Sequence, residues 1–131
     1  MTPKTIMFPD AFANSPPAGF DGVFDWSWTQ GCFGDTKITP MDIDAIVERN
    51  GHFLVFETKA DGVPIPVGQL LTMKALHRTG RFTIFLLWGK PLPKKAEIWK
   101  AASKDIYHVV GIDNLRDCVS KWFTWADGWR P

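Results

Sequence analysis

The residues from Asp42 to Lys59 read DIDAIVERNGHFLVFETK, with carboxylates opening the first apolar run and Glu57-Thr58-Lys59 closing the second. Arg49-Asn50-Gly51 between the runs is a turn, because Asn-Gly tolerates the positive φ of a tight hairpin. Side chains two apart on a strand share a face, so Glu57 and Lys59 project together and Thr58 points to the other face. Asp44 lies six to seven residues before the turn and Glu57 six to seven after it. Antiparallel pairing then sets Asp44 opposite Glu57, at the ~5 Å expected of opposed Cβ atoms. Two ionised carboxylates this close repel, and in a partly buried site one takes up a proton unless a cation intervenes. Mg²⁺ or Mn²⁺ suits such hard oxygen ligands, keeps waters, and accepts one or two carboxylates plus a substrate phosphate. The backbone carbonyl of Thr58 lies between the two side chains and is a further candidate ligand. Lys59 would hold and polarise a metal-bound water, or stabilise charge building on the phosphate. Metal, water and lysine together suit in-line hydrolysis of a phosphodiester.

The elements that must position these groups are legible in part. Ile43, Ala45 and Val47 alternate with Asp44, Ile46 and Glu48, which predicts a strand beginning near Asp42. His52 to Lys59 is a second strand, apolar on both faces and so expected inside a sheet covered by helices. Val67 to Thr79 is a predicted helix with Leu70, Leu71, Met73, Ala75 and Leu76 on its apolar side and Gly80 as its end signal. Phe82 to Trp88 is a third buried strand, and 96–102 and 106–112 are short strand candidates. A last helix is capped by Asp113 or Asn114, runs to about Ala126 and ends at Gly128, with Leu115, Cys118, Val119, Trp122, Phe123 and Ala126 inward. The strand–helix–strand crossover predicts that the second and third strands are parallel. The expected class is α/β, a mixed sheet with helices on its faces. Residues 1–37 carry recurrent Pro and Gly and the aromatics Phe20, Phe24, Trp26 and Trp28. They are expected to form an irregular arm packed on a core of residues 38–131.

On these residues the block resembles the PD-(D/E)XK nuclease superfamily. Asp44 matches the motif's aspartate, Glu57-Thr58-Lys59 matches (D/E)XK, and the thirteen-residue separation is similar to the VRR-Nuc and Holliday-junction-resolvase-like branch. That branch carries a glutamine on the next helix, where Gln69 stands. The resemblance covers about residues 38 to 88. It implies a restriction-endonuclease-like fold and a Mg²⁺- or Mn²⁺-dependent deoxyribonuclease, with Asp44, Glu57 and the Thr58 carbonyl on the metal. Lys59 would assist the water and Gln69 orient it, and the products would carry a 5′-phosphate and a 3′-hydroxyl. A phage or bacterial role in recombination or repair follows from the resemblance alone. Ile43 stands where the family has proline, and Pro40 lies just upstream. The family's additional acid, on a helix before the first strand, is unassigned, with Asp42, Asp35 and Asp25 as candidates and Asp42 nearest.

At 131 residues the chain suits one domain. Net charge is +1, so no global basic field announces nucleic acid, though a balanced sum leaves room for a local groove. Lys74, Arg78, Arg81, Lys94 and Lys95 are the candidate phosphate contacts, with DNA the expected partner and RNA open; as solvated surface charge they need no function. Cys32 and Cys118 lack zinc spacing and are expected as reduced thiols in a cytoplasmic protein, a disulfide being the alternative. No apolar run is long enough to span a membrane, and the N-terminus is unlike a signal peptide. His52, His77 and His108 have no ligand spacing. The small size suggests recognition of nucleic-acid structure, or an oligomer such as a homodimer. The alternative function is a catalytically inactive module of the same fold that binds nucleic acid or a protein partner.

Overall fold

The structure, a computed structural model, describes residues 25–131. Phe20, Phe24 and the prolines before them lie outside the described residues. The chain divides into two compact units, Met1–Asp42 and Ile43–Pro131.

In the first unit Ser27–Thr29 forms one 3-10 turn. The Asp25 carboxylate accepts the Ser27 N–H at 2.9 Å, and hydrogen bonds from the backbone and side chain of Ser27 lower its pKa. The rings of Trp26 and Trp28 pack with centroids 6.1 Å apart.

The second unit runs β1 (Ala45–Arg49), β2 (His52–Lys59), α1 (Val67–Arg78), β3 (Phe82–Trp88), β4 (Lys95–Trp99), β5 (Ile106–Val110) and α2 (Ile112–Gly128). It is an α/β unit with one five-stranded mixed sheet in the order β1-β2-β3-β4-β5. The β2–β3 pair is parallel, as the crossover predicts, and the other three pairs are antiparallel.

The Asn50-Gly51 turn sets the hairpin register, with Arg49 opposite His52 and Ala45 opposite Phe56. Asn50 (φ 52°) and Gly51 (φ 78°) both adopt the left-handed region that such a turn demands. The Asn50 amide also donates to the carbonyls of Ala126 and Asp127, at 3.0 and 3.1 Å. It thereby adds a second donor at the end of α2, where the Ala126 carbonyl also accepts the Trp129 N–H at 3.3 Å and the Asp127 carbonyl the Arg130 guanidinium at 3.2 Å. The Arg49 guanidinium joins it there, donating from Nε to the Asp127 carboxylate at 2.8 Å.

Alternation along the strands sorts the core into two faces. Leu54, Phe85, Ala96 and Ile98 pack with Leu115, Trp122 and Ala126 of α2. Burying each such Leu, Ile or Phe side chain contributes about 1.5–3 kcal/mol. Val55, Glu57, Ile84 and Leu86 occupy the intervening positions and are fully buried, as is Met73 of α1, the helix that packs on β3.

Several expected boundaries move. The first strand begins at Ala45 rather than near Asp42, so Asp44 lies just ahead of the ladder. As an edge strand, β1 leaves Ile46 and Val47 exposed, although its composition resembles that of a buried strand. The strand expected over 96–102 is Lys95–Trp99, and that over 106–112 stops at Val110. Gly111 (φ 94°) breaks the strand and is itself the N-cap of α2, with no side-chain cap. Asn114, expected as that cap, sits in the first turn and donates to the Val110 carbonyl at 2.9 Å. Leu71 on α1 and Phe123 on α2 are exposed rather than inward, and Ala75 is exposed with them.

Candidate functional site

The site lies at the carboxyl end of β2, beyond the last β1–β2 pair, Ala45 opposite Phe56, where β2 stays paired with β3 through Lys59 and Trp88; carboxyl ends of strands are where α/β sheets commonly bind ligands. Glu57 is 1 % exposed, sits between Leu86 of β3 and the start of β1, and faces away from α2. A carboxylate there must be met by donors or by a cation. One donor is the backbone N–H of Asp44, 3.3 Å from Glu57 Oε1. The expected opposition of Asp44 and Glu57 takes this form: backbone of one to side chain of the other. The Asp44 carboxylate itself turns to Thr58, accepting its N–H at 2.8 Å and its hydroxyl at 2.9 Å on one oxygen. Thr58 therefore acts on Asp44 through two donors, a role absent from the motif-based expectation.

Lys59 is half-buried and shares the Glu57 face. Its carbonyl accepts the Gly89 N–H at 2.9 Å, which ties the end of β2 to the turn after β3. Gly89 (φ 121°) has no room for a side chain, since a Cβ would lie 2.8 Å from the Leu92 carbonyl oxygen and from Lys94 N. Gln69 stands in the first turn of α1, the helix that follows β2, and so belongs to the same end of the sheet. Its side-chain oxygen Oε1 is buried and meets no donor, an unusual state for a buried polar atom.

Among the described residues no group of three or more His, Cys, Asp and Glu is arranged to hold a metal ion. The candidate donors are the Asp44 and Glu57 carboxylates and the Thr58 carbonyl. So few protein oxygens would suit only a cation that keeps most of its waters, as Mg²⁺ does, and not one that demands a full protein cage. The orphaned Gln69 oxygen suits an acceptor for such a water. Asp42, Asp35 and Asp25 belong to the first unit.

The five candidate phosphate contacts are all exposed, but they do not form one groove. Lys94 and Lys95 lie beside the carboxyl end of β3. Lys95 is paired with Trp88, and Trp88 with Lys59, so Lys95 shares the Lys59 face at about 10 Å, two strand spacings away. Lys94 lies 3.5 Å from the Asp61 carboxylate. Lys74 and Arg78 occupy successive turns of α1, and Arg81 precedes β3, at the opposite end of the sheet. The parallel crossover imposes this separation, since it must carry the chain back before β3 begins. Arg81 is also engaged, its guanidinium 4.7 Å from the Trp129 ring and 3.4 Å from His52 Nε2.

Two features escaped the motif reading. Glu97 lies in the same cross-strand row as Glu57, one strand beyond Leu86, and accepts the Trp99 indole N–H at 2.8 Å. The alternation in KAEIW is its sequence signal. His52 is buried between the rings of Trp125 and Trp129, with centroids at 4.5 and 4.6 Å. Burial, and then the Arg81 charge, push its pKa below the ordinary 6.5. Cys32 and Cys118 are both free thiols, and no helix among the described residues is long and apolar enough to cross a membrane.

In comparisons with known proteins, no family model, no curated protein and no solved structure matches this chain.

Proposed function

We propose that the protein is a metal-dependent nuclease of the PD-(D/E)XK kind, acting on DNA. The observation that carries the reading is Glu57, a carboxylate buried in the sheet, joined through the Asp44 N–H, with Lys59 two residues on along the same face. Asp44 and Glu57, with the Thr58 carbonyl, would hold one Mg²⁺ or Mn²⁺. The ion would supply Lewis-acid polarisation and an activated water. Thr58 fixes the Asp44 carboxylate through two donors, so its orientation is set before any substrate arrives. Lys59 places a positive charge where charge builds on the phosphate. Gln69 offers a buried acceptor that can orient a water proton. Lys95 and Lys94 would contact phosphates beyond the cleaved bond. Restriction to nucleic-acid structure, a homodimeric form, and a role in phage or bacterial recombination or repair in the cytoplasm belong to the same proposal.

A screen with Mg²⁺ and Mn²⁺ over single-stranded, duplex, flap and four-way DNA tests it, with Lys59→Ala beside the native protein. Loss of the lysine should lower cleavage at least about a hundredfold. Equal cleavage by both proteins would refute the assignment.

A second reading is favoured by one observation: the Asp44 carboxylate is already committed to Thr58. In that reading the acids fasten β1 to β2 in a non-catalytic module that binds nucleic acid or a protein. Calorimetry with Mn²⁺ separates the two. The nuclease requires binding that disappears in Glu57→Ala, whereas the fastening role requires none.

A further inference from the structure

On the sheet face opposite Glu57, α2 and strands β3–β5 enclose a cavity of about 420 Å³, within the range of small-molecule sites. Phe85, Ile98, Val109, Trp122 and Trp125 supply apolar wall. The charged groups at its lining are both cations, Lys100 and Lys121, and no carboxylate lines it. The Lys100 ammonium lies 4.4 Å from the Tyr107 ring centroid. The Lys121 ammonium is held 2.9 Å from Asp117, one turn earlier on α2. Trp122 is 7 % exposed, and its indole N–H meets no acceptor. The other two indoles central to the sheet are satisfied: Trp88 donates to the Val63 carbonyl at 2.7 Å and Trp99 to Glu97 at 2.8 Å. An apolar cavity with two ammonium groups and no carboxylate at its lining is complementary to an apolar body carrying a negative charge. Thr83, also in the lining, has its hydroxyl oxygen occupied by the Ala101 N–H at 3.0 Å.

We propose that this cavity binds a small organic anion. Its aromatic or aliphatic body packs on Phe85, Val109 and Trp122, and its carboxylate, sulfonate or phosphate group lies against Lys100 and Lys121. The site is independent of the nuclease reading, because it uses the other sheet face and none of Asp44, Glu57, Lys59 or Gln69.

Two dyes with one aromatic skeleton test it on the full chain: 1-anilinonaphthalene-8-sulfonate and its uncharged counterpart N-phenyl-1-naphthylamine. The anionic dye should saturate at one per chain. It should move the Trp122 indole N–H resonance while leaving those of Trp88 and Trp99 in place. Lys100→Ala with Lys121→Ala should weaken the anionic dye by about tenfold and leave the neutral dye within about twofold. Val109→Phe should weaken both by reducing the space. Should that variant fail to fold, the indole shifts in the native chain still decide the location. Absence of saturable binding, binding that leaves the Trp122 resonance unmoved, or equal affinity for the two dyes in the native chain would overturn the proposal.

Discussion

Asp44→Ala removes the acceptor of two hydrogen bonds at once, and its cost can be worked from the geometry. The Thr58 N–H and hydroxyl lie 2.8 and 2.9 Å from one carboxylate oxygen. Hydrogen bonds to charged groups contribute about 1.5–3 kcal/mol each. Both are part-buried, so water replaces some of the loss, and about 2 kcal/mol in total is expected. The backbone N–H from Asp44 to Glu57 survives the substitution, which confines the effect to Thr58. Asp44→Asn retains an oxygen acceptor and should cost about 1 kcal/mol, and Thr58→Val, which deletes the hydroxyl alone, about the same. Combining Asp44→Ala with Thr58→Val should show a coupling of about 1 kcal/mol, because the hydroxyl bond is lost only once. Urea unfolding in the absence of divalent cation, with slopes compared to verify two-state behaviour, reads the native protein and all four variants. A loss under about 0.5 kcal/mol in Asp44→Ala, or additive single effects, would refute the fastening of Asp44 on Thr58.

Three further outcomes follow from the scaffold. Asn50→Ala should destabilise by about 2–3 kcal/mol, combining a left-handed backbone that alanine resists with two lost bonds to α2. Asn50→Gly, which keeps the backbone freedom, should cost about 1 kcal/mol in the same unfolding assay. Gly89→Ala should cost about 2–4 kcal/mol, seen as a lowered thermal midpoint, since its Cβ meets backbone atoms at 2.8 Å. The lowered pKa of His52 makes the folded chain favour the neutral ring, so below pH 6.5 the unfolded chain binds more protons. Stability should therefore fall as pH drops through 6.5 and level off below the folded value. His52→Phe should lose that part of the pH dependence in denaturation series at pH 7.5 and 5.5.

Where local chemistry dictated geometry, the chain was readable in advance. Asn50-Gly51 settles the hairpin register, and the register alone brings Asp44 beside Glu57. The apolar runs of β2 and β3 demand cover on both faces, and Gly80 marks the end of α1. What was not legible depends on contacts distant in sequence. Asp113 and Asn114 have the chemistry of helix caps, but Gly111 turns the chain first and takes that position. Ile46 and Val47 mark a strand by their alternation, but only the strand order puts β1 at an edge and leaves both exposed. The basic residues cluster in sequence and separate in space because a parallel crossover must return the length of the sheet. The turn of the Asp44 carboxylate onto Thr58 is invisible to a motif, which records spacing and not the direction of a side chain.

The grip of Asn50 and Arg49 on the last turn of α2 also bears on how the chain is made. A ribosome releases β1 and β2 well before residues 126 and 127, which close that grip. Until α2 emerges, Leu54, Phe85 and Ile98 lack the helix that covers them, and the sheet has one oily side open to solvent or to a chaperone. Vectorial synthesis therefore leaves the hairpin waiting on the final helix. A stalled nascent chain ending at Gly111 should be cut readily by protease within the sheet, while one with α2 clear of the tunnel should resist.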